Sequence, residues 1–275
     1  MGGGVVTLGR GDVGCGQFMS VTTPQSVGMQ AGSIAGRAAK TKRSGLWDSY
    51  FYFAMSLLMT AVVVYGFSRT MGARIIHPKM AQPKILYIHA FVFYGWLAFL
   101  IFQSVLIRTK NVKLHRSIGW FGVALGVVIP VLGIWTAITM DRIRVFVRHE
   151  ADVPRFMLIP FLDIACFTVP FALAIYWRKK PEYHRRLILI ASCALTAAAW
   201  GRFPENILPQ TYFGPYGGVD LLILLGVLRD WIVNRRVHVA YKYALPALIV
   251  VQTFVMYTID TKQEWWLKIA DAILR

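Results

Sequence analysis

Apolar residues in this chain fall in long, nearly unbroken runs, with neither the strict alternation of a half-buried strand nor the narrow stripe of a soluble amphipathic helix. Bounded by charge or by Gly and Pro, the runs occupy residues 47–68, 85–107, 115–139, 156–177, 184–202, 219–234 and 239–259. Most approach the ~20 residues that a helix needs to cross a hydrocarbon core of about 30 Å. None has the alternating faces of a barrel strand, and only helices and closed barrels satisfy their backbone groups in lipid. The pattern therefore predicts an all-α membrane protein, a bundle of about seven transmembrane helices over residues 45–260. The sixth run is the weakest, being short and carrying Arg229 and Asp230 near its end, which suits a tilted or interfacial segment.

Two flanking segments read differently. Residues 1–44 are rich in Gly, Ser, Thr and Ala, have no apolar h-region and end in Arg37, Lys40, Lys42 and Arg43. They are expected to form a disordered cytoplasmic tail rather than a cleavable signal, and Met19 and Met29 within it leave the true start open. Residues 261–275 set Trp265, Trp266, Ile269, Ile273 and Leu274 against Lys262, Glu264, Lys268, Asp271 and Arg275, the composition of an amphipathic helix lying in the membrane interface.

Composition agrees with lipid as the main solvent: 56% of the 275 residues are hydrophobic and only 16% charged. A net charge of +17 would point to nucleic acid in a soluble protein, but here the basic residues sit in short loops between apolar runs. Topology and anionic lipid headgroups account for them, and no nucleic-acid partner is expected. Most Lys and Arg fall on one side of the runs, around Arg108–Arg116, Arg178–Arg186 and Arg229–Lys242, while carboxylates such as Asp141, Glu150, Asp152 and Glu205 gather on the other. The expected orientation is N-terminus inside and C-terminus outside. Cys15, Cys166 and Cys193 have no metal-type spacing.

A weak internal repeat places the candidate chemistry. Three times a helix runs inward, meets a short basic loop, and is followed by a helix that opens with a histidine: RTKNVKLHRSIGW around His115, RKKPEYHRRLIL around His184 and RDWIVNRRVHVAYKY around His238. Each reads as a helical hairpin turning at the cytoplasmic surface. Side by side, such hairpins would bring neutral imidazoles from different helices to one depth, as the axial ligands of a b-type haem require. The same residues also suit a basic headgroup layer in which Arg116, Arg185 and Arg186 bind lipid phosphates.

The opposite half offers His89 early in the second run, Asp163 early in the fourth and Arg202 at the end of the fifth, all expected in one outer layer. An ionisable residue within a span is a functional candidate by default, because an unpaired charge in hydrocarbon costs several kcal/mol. A structural Asp163–Arg202 ion pair, with His89 hydrogen-bonded nearby, would satisfy the same residues. Gln103 suits hydrogen bonding across helices or to an inner-site ligand, and Trp96, Trp120, Trp135, Trp177 and Trp200 suit interface marking. There is no P-loop, G-x-S-x-G, H-E-x-x-H or C-x-x-C. A retinal protein is disfavoured because Lys242 stands at the start of the last run rather than at its middle.

The segments LYIHAFVFYGWLAFLIFQ, LHRSIGW and PEYHRRLILIASCALTAAAWGRFP resemble a group of uncharacterised bacterial multi-pass membrane proteins of the domain-of-unknown-function type. In these, one helix carries an early His, the next opens Leu-His-Arg, and a later one opens His-Arg-Arg and ends with Arg. That resemblance implies a bacterial inner membrane and an architecture, but no reaction. More loosely, single histidines near both membrane faces resemble cytochrome b-type transmembrane electron carriers. This second resemblance implies His115 and His184 as an inner haem pair and His89 as one ligand of an outer haem. The outer partner is missing, since only His77 and His149, both in loops, remain there. The leading expectation is a membrane redox protein binding haem b and exchanging electrons with a quinone. The alternatives are a small-molecule or proton transporter or channel using Asp163, and a structural subunit of a membrane complex.

Overall fold

A computed structural model describes Gly2 and residues 46–72, 81–209 and 213–275. The expected tail at 1–44 and His77 lie outside the described residues. From residue 46 onward these residues belong to one compact unit, Ser44–Arg275, which contains no strand among its described residues.

Five stretches are long and apolar enough to cross a membrane: Tyr50–Met71, Lys84–Arg108, Val112–Phe146, Val153–Tyr176 and Val239–Asp260. The helices are α1 (Leu46–Met71), α2 (Lys84–Arg108), α3 (Val112–Phe146), α4 (Val153–Phe156), α5 (Leu158–Tyr176), α6 (Pro181–Ala194), α7 (Ala197–Trp200), α8 (Phe213–Asn234), α9 (Val239–Asp260) and α10 (Glu264–Leu274). Helices α2 and α3, α5 and α6, and α8 and α9 pack as neighbours, each pair joined by a short turn. Two of the expected runs differ from the other five. The fifth is broken: α6 ends at Ala194, Thr196 Oγ1 donates to the Cys193 carbonyl at 2.6 Å, and only α7 follows. Its first turns hold Glu182, His184, Arg185 and Arg186, which lowers its apolar content. The sixth, α8, starts at Phe213, so Gly214, Pro215, Gly217 and Gly218 belong to its first turns instead of a loop. Pro is tolerated there because a helix leaves its first N–H groups unpaired. At Gly218 the missing side chain lets the backbone lie against the Trp200 ring.

Helix α3 runs about two turns past its expected end at residue 139, so Asp141 and Arg144 are helical. Arg144 bridges Asp141 at 3.3 Å and Glu150 at 2.9 Å. At its other end the Asn111 side chain accepts the Leu114 N–H at 3.4 Å, an N-cap.

The helices bury one set of apolar residues against one another and turn another, equally large set outward. One cluster includes Met55, Met59, Cys193, Ile223 and Val255, and a second includes Trp96, Ile129, Phe167 and Phe171. Phe91, Val131, Trp135 and Val250, by contrast, are at least 60% exposed. An apolar outer surface on apolar helices is what a lipid solvent requires, and the chain is accordingly an integral membrane protein. Trp96 does not mark an interface: it is buried and donates from Nε1 to Ser192 Oγ at 3.3 Å. Helix α10 is amphipathic, with Trp266, Ala270 and Leu274 buried against the bundle and Trp265 and Ile269 exposed. Arg142 donates to the Leu274 and Ile273 carbonyls, both at 3.0 Å, and satisfies the C-terminal carbonyls of α10.

Candidate functional site

The three histidine-bearing turns gather at one end of the bundle. His115 stands in the first turn of α3, His184 in the first turn of α6, and His238 caps α9. The His115 and His184 rings lie 6.5 Å apart between centroids with their planes at 77°. His184 Nδ1 is 2.9 Å from the carbonyl of Ala174 on α5. A carbonyl only accepts, so Nδ1–H donates, and in the neutral ring the lone pair then lies on Nε2. His115 Nδ1 is buried with no hydrogen-bond partner among the described residues. His238 reaches the group through Tyr183, whose ring stands edge-on to it at 4.6 Å. Its Nδ1 accepts the Ala240 N–H at 3.1 Å, so that nitrogen serves as a helix cap. Burial, and then the Arg186 charge, lower the His238 pKa, in keeping with an acceptor nitrogen.

Beside the histidines lies a buried ionic network. Arg186 Nε and Nη2 donate to Asp230 Oδ2 and Oδ1 at 2.7 and 2.6 Å, the bidentate geometry that guanidinium and carboxylate favour. Its Nη1 donates to Glu182 Oε2 at 2.6 Å and to the Glu182 carbonyl at 2.7 Å. Asp230 also accepts from Arg229 Nη1 at 2.8 Å, Asn234 Nδ2 at 3.3 Å and the His238 N–H at 3.2 Å. Arg186 is 1% exposed and Asp230 0%. The expectation that Arg186 binds lipid phosphate is therefore corrected: its guanidinium is enclosed and tied to α8. Arg185 pairs with Glu182 at 2.7 Å and lies 5.5 Å over the Tyr52 ring, while Arg116 is exposed and remains suited to a headgroup. The signal for this network was present in the sequence as opposite charges at the ends of two apolar runs, where burial demands a partner.

At the other end Asp163 faces inward, as expected. It lines a cavity of about 10 Å³ together with Cys166, Tyr216 and Gln252. Gln252 Nε2 donates to Asp220 Oδ1 at 3.0 Å. Tyr216 and Asp220 were not singled out from sequence, because the Gly-Pro and Gly-Gly before Asp220 read as a loop; Gln252 lies in the seventh run as an uncharged polar residue with no signal of its own. Among the described residues no ion pair joins Asp163 to Arg202. Instead Arg202 donates to the Ala198 carbonyl and lies 4.3 Å over the Phe67 ring, since the break after α6 carries it toward α1 and away from α5. His89 stacks on Phe93 at 4.0 Å and lies in the field of Arg202, but it does not line the Asp163 cavity.

Among the described residues no group of three or more His, Cys, Asp and Glu could hold a metal ion. Comparison with protein-family models, with curated proteins and with solved structures gives no match.

Proposed function

We propose that this chain is a seven-crossing membrane redox protein that holds haem b between His115 and His184 and exchanges electrons with a quinone. In this reading α6 with α7, and α8, complete the crossings begun by the five long apolar stretches. The histidine end faces the cytoplasm of a bacterial inner membrane, because Lys110, Arg178, Lys179, Lys180, Arg235 and Arg236 cluster in its three turns. Exposed Arg116, Lys110 and Lys113 meet anionic headgroups there.

The observation that carries the proposal is the spacing of the two rings. Imidazoles bound on opposite faces of one iron, with metal–nitrogen bonds of about 2 Å, hold their centroids roughly 6 Å apart. The 6.5 Å separation of His115 and His184 fits that spacing, and the ligands come from different helices. His184 donates from Nδ1 to a backbone carbonyl, as metal-bound histidines commonly do, which fixes the tautomer and raises the basicity of the other nitrogen. The unsatisfied His115 Nδ1 and both unsatisfied amide atoms of buried Gln103 belong to the same hairpin end. Gln103 lies five residues from the end of α2 and His115 three from the start of α3, which at about 1.5 Å per residue differ by roughly 3 Å in depth. Haem b, when bound, supplies reversible one-electron transfer. His115 and His184 would bind and orient it, and Gln103 is placed to donate to a quinone oxygen.

The test is the absorption spectrum and pyridine haemochrome of detergent-purified protein from haem-replete cells. The expected result is a low-spin b-type spectrum lost in His115→Ala and His184→Ala and retained in His89→Ala. A colourless preparation, or a spectrum indifferent to both inner substitutions, overturns the proposal.

A further inference from the structure

We propose that the Asp163 cavity is a proton-binding site in the core of the bundle, where the Asp163 carboxyl takes up and releases a hydrogen ion through a water-sized space shared with Tyr216 and Gln252. This site is independent of the histidine end and of any haem.

Charge is the starting point. A carboxylate in a bundle surrounded by lipid must meet a cation, meet hydrogen-bond donors or take a proton. Among the described residues, no cationic side chain and no N–H donor reaches the Asp163 carboxyl. The groups lining its cavity come from α5, α6, α7, α8 and α9, and none from α3, which also packs on α5. Cys166 lies one turn on along α5, Tyr216 and the nearby Asp220 belong to α8, Gln252 to α9, and Ala194 and Ala197 give α6 and α7 no titratable side chain at the cavity. Asp220 differs from Asp163 in its partner, since the Gln252 amide donates to it at 3.0 Å. Asp163 has no such N–H donor among the described residues and lines the cavity, so the proton is assigned to it.

Tyr216 supplies a second and independent observation. It is 4% exposed and lines the cavity. Its hydroxyl stands near enough to act on the Asp163 carboxyl as a hydrogen-bond donor, but it does not reach close hydrogen-bond geometry with any described residue. Buried hydroxyls normally find a partner, and a single water between Tyr216 Oη and the Asp163 carboxyl would serve both. The volume of about 10 Å³ is at the lower limit for one water. A metal ion is a poorer fit, since it needs several more oxygen ligands than converge here.

Depth gives the proton a short route. Tyr216 lies three residues from the start of α8, and Asp163 lies five from the start of α5 and ten from Val153, where that apolar stretch begins, so the site is about 5–15 Å below those helix ends. In the loading step an Asp163 carboxylate oxygen forms an O–H bond with a hydrogen ion delivered by hydronium, leaving water. Release is the reverse, with the proton returned to water.

Infrared difference spectra between about pH 5 and 9, taken on the full chain in lipid nanodiscs, test this. Protein labelled with carbon-13 at the Asp side-chain carbon is compared with unlabelled protein. A protonated-carboxyl C=O band that disappears as pH rises, moves with the label, is lost in Asp163→Asn and persists in Asp220→Asn is the expected result. Tyr216→Phe should shift that band without removing it, and this variant with the labelled wild type keeps the test decisive if Asp163→Asn does not fold. The proposal is overturned by the absence of a pH-dependent band, by a band unmoved by the label, by its loss in Asp220→Asn instead, or by its disappearance when sodium is raised at fixed pH.

Discussion

Replacing Asp230 with Asn tests the buried network most directly. The carboxylate accepts five hydrogen bonds, two from Arg186 at 2.6 and 2.7 Å and one each from Arg229, Asn234 and the His238 backbone. It is fully enclosed, as is Arg186. The amide keeps the shape but cannot accept with both heavy atoms and carries no charge, so Arg186 is left with Glu182, whose side chain is 58% exposed. Removing one partner of a buried ion pair costs about 3–5 kcal/mol, mostly because the remaining charge stays desolvated. Asp230→Asn and Arg186→Met should each lose roughly that amount in reversible unfolding measured in mixed micelles. The double variant should fall short of the summed losses by about 1–3 kcal/mol, the coupling expected of residues in direct contact. Additive losses would refute the pairing, and an Asp230→Asn cost below about 1 kcal/mol would place the carboxylate in water rather than in the bundle.

Two further substitutions test the packing and the helix cap. A Cβ at Gly66 would stand 2.9 Å from the Ala199 carbonyl carbon and closer still to its oxygen, whereas one at Gly95 meets nothing within 4 Å. Because the obstacle at Gly66 is backbone, Gly66→Ala should lower stability by about 1–3 kcal/mol, and Gly95→Ala should raise it by about 0.5–1 kcal/mol; equal effects would show that α1 and α7 do not approach so closely. His238 has its pKa lowered below the ordinary 6.5 by burial and then by Arg186, so on acidification the unfolded chain takes the proton first and stability falls as pH drops below about 6.5. His238→Asn retains a capping acceptor without titrating, so its unfolding midpoint should decline less between about pH 7 and 5 than that of the wild type. Parallel declines would remove His238 from the cap.

What could be read from the residues divides along physical lines. Helices and their hairpins followed from run length and from charged turns, because lipid leaves a backbone few choices. The common level of His115, His184 and His238 followed from their places at helix starts. Rotation about each helix axis was harder. Arg185 and Arg186 are adjacent and chemically identical, yet one is partly exposed on Glu182 and Tyr52 while the other is sealed against α8. Successive residues point about 100° apart, and only the contact between α6 and α8 decides which arginine turns inward.

The cost of an isolated charge in lipid says that Asp163 must turn inward, and it does. It does not say what meets the charge there. Arg202 was the nearest cation in the expected layer, but a continuous fifth helix was needed to deliver it, and the chain breaks at Leu195 and Thr196. The same cost acts on Asp230, where α6 is intact and Arg186 is delivered from 44 residues away. One carboxylate therefore has a guanidinium, and the other has a tyrosine hydroxyl and a space the size of a water. That difference makes the first a fastening between helices and leaves the second open to exchange.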